Sequence, residues 1–158
     1  MRFSDEHFMQ LALAKAQEGV NQGGSPFGAC LVKDGEVLAC AHNQVLQDTD
    51  ITAHAEVTAI REACRKLRSI DLAGCVIYST CEPCPMCFSA IHWAKIDKIV
   101  FGASIEDARN LGFSELSISN LKMKEGGRSP VVVSGPLLKK EALDLFQAWS
   151  RRADRRVY

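Results

Sequence analysis

The residues that most restrict how this chain can fold are His54 and, thirty positions further on, the pair Cys84 and Cys87. One imidazole and two thiolates are three donors of a tetrahedral zinc site. Three protein ligands leave the fourth corner to water, as in catalytic rather than structural zinc. A fold that uses them must bring two segments remote in sequence within a few ångströms of each other. Cys84 and Cys87 are three apart and share one face of a helix, where the free N–H groups of a first turn favour the thiolate. Two thiolates leave the zinc complex close to neutral and a weaker acidifier of its water than a three-imidazole site. A nearby base would help, and Glu56, two residues after His54, is placed to take that proton.

Hydrophobic periodicity organises the rest. Ser4, Asp5 and Glu6 ahead of Phe8, Leu11 and Ala12 predict a capped amphipathic helix ending before Gly23-Gly24-Ser25-Pro26. From Gly28 to His42 the period changes to that of a strand, and Asp34-Gly35 predicts a two-strand hairpin. A helix is expected from Thr52, with Val57, Ile60, Cys64 and Leu67 on one face, and a strand over Cys75 to Ser79. Pro83 is placed in the first turn of an apolar helix running to Ala94, and Ile99 to Gly102 is a strand. Strand, helix and strand at this spacing imply parallel neighbours. Residues 103–130 predict one short helix and an irregular segment, Val131 to Val133 a last strand, and Lys140 to Arg151 a last helix.

With 158 residues, 47% of them hydrophobic, the chain is expected to form a single domain over 1–158. Nineteen Lys and Arg balance nineteen Asp and Glu, which argues against a surface built wholly to trap nucleic acid; the Arg151 to Arg156 run reads as a solvated face, with tRNA phosphates or a partner subunit as the alternative contact. No apolar stretch is long enough for a membrane helix, and Met1 to His7 turns acidic where an export leader would be apolar. A cytoplasmic location without a membrane partner is therefore expected. Seven cysteines, an odd number, fit reduced thiols or a metal site better than a disulfide framework.

Cys81 forms a second Cys-x-x-Cys with Cys84 and is an alternative ligand, whereas an iron–sulfur site would want a cysteine where Ala90 stands. Cys30, Cys40, Cys64 and Cys75 are expected to be core thiols. His7, His42 and His92 are expected in surface, capping or packing roles.

His54-Ala55-Glu56 with Pro83-Cys84-Pro85-Met86-Cys87 is the signature of zinc deaminases that act on nucleobases. Nearly the whole chain resembles the cytidine-deaminase-like superfamily, most closely the bacterial guanine deaminases. The matching residues are Pro26-Phe27-Gly28-Ala29, Asn43, Thr52 to Ile60, Cys81 to Cys87, Trp93-Ala94, Gly112-Phe113 and Phe146 to Trp149. The resemblance implies a three-layer α/β/α sandwich on a central five-stranded mixed sheet. It implies zinc held by His54, Cys84 and Cys87, and Glu56 as proton shuttle. It also implies Phe27 packed on the base, Asn43 hydrogen-bonded to it, and a homodimer in which the tail, ending here at Tyr158, crosses to close the partner's site.

Three positions depart from that pattern: Ile51 stands for Pro, Ser89 for Gly, and Ser114-Glu115 for Asp-Asp. Guanine offers N–H donors at positions 1 and 2, and Glu115 keeps a carboxylate acceptor for that edge with one extra methylene. The expected reaction is guanine to xanthine plus ammonia. The alternatives are deamination of tRNA adenosine, or of another small aminated ring such as cytosine, guanosine or an aminotriazine. Cytosine needs partners for its ring carbonyl and N3, a poorer match to Glu115. A zinc-stabilised binding module without catalysis would leave Glu56 without a purpose.

Overall fold

The computed structural model describes residues 3–158; Met1 and Arg2, the start of the stretch read above against an export leader, lie outside them. Ser4 caps helix α1 (Asp5–Asn21) by accepting from the His7 amide at 3.3 Å, and Asp5 and Glu6 place negative charge on the exposed N–H groups of its first turn. Strands β1 (Gly28–Lys33) and β2 (Glu36–His42) form the hairpin. Asp34 and Gly35 turn it with φ of 51° and 83°, the two left-handed residues whose twist matches the strands. A single helical turn, α2 (Val45–Asp48), follows without a sequence signal of its own.

Next come α3 (Ala55–Leu67), β3 (Cys75–Cys81), α4 (Pro85–Trp93) and β4 (Lys98–Ala103). Two boundaries correct the sequence reading. Pro85, not Pro83, fills the first-turn position of α4, where its missing N–H costs no hydrogen bond. The α3 helix begins at Ala55 rather than Thr52, because Thr52 is held in a turn by the Asp50 carboxylate.

Residues 103–130 hold two helices rather than one, α5 (Ile105–Asn110) and α6 (Asn120–Gly127), before β5 (Val132–Ser134) and α7 (Lys139–Ser150). The Gly126-Gly127 pair is a poor helix former. Helix α6 forms all the same, because Ser119 caps it and a buried carboxylate, Glu82, accepts its first N–H at 2.8 Å.

The sheet order is β2-β1-β3-β4-β5, with β1 antiparallel to both neighbours and β3, β4 and β5 parallel. Along β3 the faces alternate. Cys75 and Ile77 pack under α3 and α4 with Ala59, Ala63, Phe88 and Ile91. Tyr78 packs on the other face with Phe8, Met9 and Ala12 of α1. Helix α7 joins α1 on that second side through Leu145 and Trp149. The result is a three-layer α/β/α sandwich on a mixed five-stranded sheet. No described helix is long and apolar enough to cross a membrane.

Phe27 precedes β1, Asn43 follows β2, and β3 ends at Cys81, so one end of the sheet gathers the residues singled out above. Gly28 fixes this end against α1: a Cβ there would collide with the Ala12 carbonyl oxygen and lie 2.7 Å from the Ala16 amide nitrogen. Gly28→Ala is expected to cost about 2–3 kcal/mol of stability and lower Tm by roughly 5–10 °C, read by calorimetry at neutral pH. An unchanged Tm would show that α1 yields there without cost.

Candidate active site

His54 and Cys84 occupy the N-cap positions of α3 and α4, where a side chain ordinarily bonds back to the helix. Neither side chain makes that bond, so both are available as ligands. Cys87 lies one turn into α4, and its Sγ stands 3.5 Å from His54 Nδ1, with Cys84 Sγ at 3.6 Å. Zn–S and Zn–N bonds of ordinary length meeting at a tetrahedral angle put their donor atoms about 3.5 Å apart. The three donor atoms lie within 4.8 Å of one another, and theirs is the one such cluster among the described residues. The two sulfur–nitrogen distances match zinc held through Nδ1 of the histidine.

The electrostatics favour the same ion. A hydrogen bond from Cys87 outweighs burial and holds the Cys84 thiol down to about 4, with His54 assisting. Cys87, bonded to Cys84, buried and beside Glu56, is pushed well above the usual thiol range. The two sulfurs therefore share one proton that a divalent cation displaces. Burial opposes charge on His54, but the neighbouring Cys84 and Glu56 outweigh it and raise its pKa.

Glu56 sits in the first turn of α3, is 6% exposed, and is driven toward its neutral form by burial. Its Oε2 is 3.2 Å from Cys87 Sγ, beside the ligand cluster, and its Oε1 is 2.8 Å from the Ser79 hydroxyl. Ser79 Oγ is also 2.6 Å from the Cys81 carbonyl oxygen. A hydroxyl has one hydrogen to donate. Both short contacts are hydrogen bonds together only when Glu56 carries a proton and donates it to Ser79.

A cavity of about 390 Å³ opens onto these groups. Phe27 forms one wall, in edge contact with Phe113 and Phe146 at 5.0 and 5.6 Å. Asn43 is buried, and its Oδ1 accepts from the Val45 amide at 3.1 Å. That bond fixes the amide so that Nδ2 donates to the Tyr158 hydroxyl at 2.7 Å. The Tyr158 carbonyl in turn accepts from Ser114 N at 3.0 Å, so the tail closes the cavity of its own chain. Burial, against the bond from Asn43, moves Tyr158 up to about 12 and keeps it a neutral phenol.

Glu115 faces the cavity with its Oε2 buried and without a hydrogen-bond partner among the described residues. Burial, with Cys84 and Glu56 nearby, raises its pKa to about 8. Arg109 holds the loop in place by donating to the Glu115 carbonyl at 2.7 Å.

Cys81 lies outside the ligand cluster: its Sγ turns to the Ser104 carbonyl at 3.4 Å, and burial keeps it protonated. Ile51 is exposed at the cavity rim, and Ser89 bonds the Pro85 carbonyl within α4. His42 is buried and turned onto the Asn43 carbonyl, and His92 bonds Ser129.

Sequence reasoning missed the polar supports. Glu82 accepts from the amides of Ile105 and Asn120, and Asn120 Nδ2 bonds the Pro83 carbonyl at 2.6 Å, tying α5 and α6 to the turn that carries Cys84. Thr80 Oγ1 accepts from the Gly28 amide at 3.0 Å. Their one signal is polarity at the end of an apolar strand.

A family model described as the cytidine and deoxycytidylate deaminase zinc-binding region matches residues 3–103. The chain belongs to that family, and its architecture and donor set are those of a zinc-dependent hydrolase that deaminates nucleobases or nucleosides. Among its relatives, it is similar to a guanine deaminase of Bacillus subtilis, at 41% identity over 97% of this chain and 98% of that one. It also resembles a tRNA-specific adenosine deaminase of Aquifex aeolicus, at 46% identity over 62% of this chain and 65% of the relative. Its fold superposes on a guanine deaminase from Nitrosomonas europaea with a TM-score of 0.87 at 26% identity, covering 95% of this chain and 87% of the other.

A carboxyl whose pKa is about 8 in the folded protein, against an ordinary 4.5, binds its proton more tightly when folded. Its contribution to stability is complete below pH 4.5 and is lost as the pH rises to 8. Without zinc, Glu115→Gln is expected to show a larger Tm advantage over the parent at pH 9 than at pH 5, measured by thermal unfolding. Equal differences at the two pH values would contradict the raised Glu115 pKa.

Proposed function

We propose that this enzyme hydrolyses guanine to xanthine and ammonia, with His54, Cys84 and Cys87 as the zinc ligands and Glu56 as the proton carrier. Zinc bound by these three residues supplies a Lewis acid that lowers the pKa of water toward neutrality. Glu56 takes the first proton that the attacking water loses and delivers it to a ring nitrogen; it then takes the second from the hydroxyl left on the ring carbon and passes it to the amine, which departs as ammonia while the hydroxyl oxygen becomes the carbonyl. Its neutral-leaning, buried carboxyl makes it able to give a proton as well as take one. Phe27 offers an aromatic face to the ring. Asn43, its amide held by Val45, offers an N–H to a ring acceptor.

The observation that carries the choice of base is Glu115 Oε2, a buried carboxyl oxygen in the cavity wall with no donor to accept from among the described residues. An orphaned acceptor of this kind costs stability until a donor reaches it. The N–H groups at guanine positions 1 and 2 are such donors, whereas cytosine turns a carbonyl and N3 toward its partners. The similarity to a guanine deaminase over nearly the whole of both chains supports the same reading. A tail packed across the cavity suits a small free base better than a nucleotide within an RNA strand.

All of this belongs to one cytoplasmic domain over 1–158, assembled as a homodimer in which Tyr158 closes a site. Sedimentation equilibrium is expected to give twice the chain mass of 17.3 kDa, and a monomer would remove the dimer from the proposal.

Ammonia release by the zinc form is expected to be fastest on guanine among guanine, guanosine, adenine, cytosine, an aminotriazine and a tRNA anticodon stem-loop. Glu56→Gln is expected to keep its zinc and lose at least about a hundredfold in kcat. Activity confined to the stem-loop would overturn the substrate, and undiminished turnover by Glu56→Gln would overturn the mechanism.

A further inference from the structure

Strand β3 lies in the middle of the sheet, and its side chains at Cys75 and Ile77 point into the apolar layer beneath α3 and α4. By the alternation of a strand, Ser79 points the same way. It is 1% exposed, at a position where the pattern calls for an apolar side chain. A buried hydroxyl is costly without partners, and a polar residue that breaks a core pattern marks a functional constraint. Ser79 has two partners: Glu56 Oε1 at 2.8 Å and the Cys81 carbonyl oxygen at 2.6 Å.

Those contacts determine how Glu56 is presented. Its side chain starts from the first turn of α3, and a carboxyl on two methylenes has several rotamers within reach. Ser79 engages Oε1, leaving Oε2 as the oxygen that faces the ligand cluster, 3.2 Å from Cys87 Sγ. Ser79 is itself braced from both sides, because its strand position pairs with Ala29 of β1 and Phe101 of β4. The carboxyl at the ligand cluster is thus tied to the central strand of the sheet, paired on both sides, as well as to its own helix.

We propose that Ser79 is a positioning residue for the deamination: its hydroxyl holds one oxygen of Glu56 so that the other is presented to the substrate side of the His54, Cys84 and Cys87 cluster. Ser79 touches neither the donor atoms nor the cavity, and it acts only through Glu56. The inference rests on Glu56 as the proton carrier; it is independent of which base is the substrate.

The test compares zinc-loaded parent, Ser79→Ala and Ser79→Thr on whichever aminated ring gives the parent its fastest ammonia release. A wrong assignment of guanine thus changes the substrate and not the comparison. Ser79→Ala is expected to lose roughly tenfold or more in kcat with KM and zinc stoichiometry unchanged. Ser79→Thr, which restores a hydroxyl, is expected to recover most of that loss. Crystal structures of the zinc-loaded parent and Ser79→Ala read the same point without turnover. The Glu56 carboxyl is expected in one position in the parent, and displaced or in two positions in the variant. An unchanged kcat in Ser79→Ala, a loss confined to KM, or an unmoved Glu56 would each overturn the proposal. So would a folded Ser79→Thr that bonds Glu56 yet stays as slow as the alanine variant.

Discussion

Everything at this site depends on two helix starts that meet with their capping positions used for something other than capping. His54 and Cys84 stand where a serine or aspartate would satisfy the first N–H groups of α3 and α4, and each turns its side chain to the other instead. Both helices forgo a stabilising bond worth about 1 kcal/mol, and both direct the positive end of their dipoles at the same few ångströms. That convergence lets two sulfurs and a carboxylic acid share a buried space: one thiol is held down to about 4 while its neighbour and Glu56 are held up.

The sheet makes the meeting possible. Helices α3 and α4 lie on one face, and the parallel run from β3 to β4 returns the chain so that α4 starts at the end of the central strand. The opposite face, filled by α1 and α7, supports the cavity walls: Phe27 and Phe113 pack against residues of those helices. Glu82 joins the two parts. By accepting from Ile105 and Asn120 it hangs α5 and α6, and the loop between them that carries Glu115, from the same turn that presents Cys84.

Most of this was legible in the chain, and what was not has a physical reason. The hairpin was readable because Asp34-Gly35 supplies two left-handed residues, α3 because its spacing is helical, although Ala55, Ala59 and Ala63 are buried rather than the expected face of Val57, Ile60, Cys64 and Leu67, and α4 because a proline opens an apolar run. Helix α6 escaped because Gly126 and Gly127 argue against it locally, while its support comes from Glu82, thirty-eight residues away from Asn120. The helix start at Pro85 was misplaced by two residues because either proline suits a first turn. Ser79, Thr80 and Glu82 show in the sequence only as polarity near the end of an apolar strand, and the bonds that explain them reach residues too distant in the chain to leave a periodic trace. The orientation of Asn43 was equally hidden, since it is set by a backbone amide two residues along.

The Asn43 amide has two hydrogens on Nδ2 and its oxygen already committed to Val45. Tyr158 takes one of those hydrogens, which leaves a single donor for an occupant of the cavity while the tail is down. The Tyr158 hydroxyl therefore sets how many hydrogens of the Asn43 amide stay open to the cavity: one while it is in place, two once it has moved away.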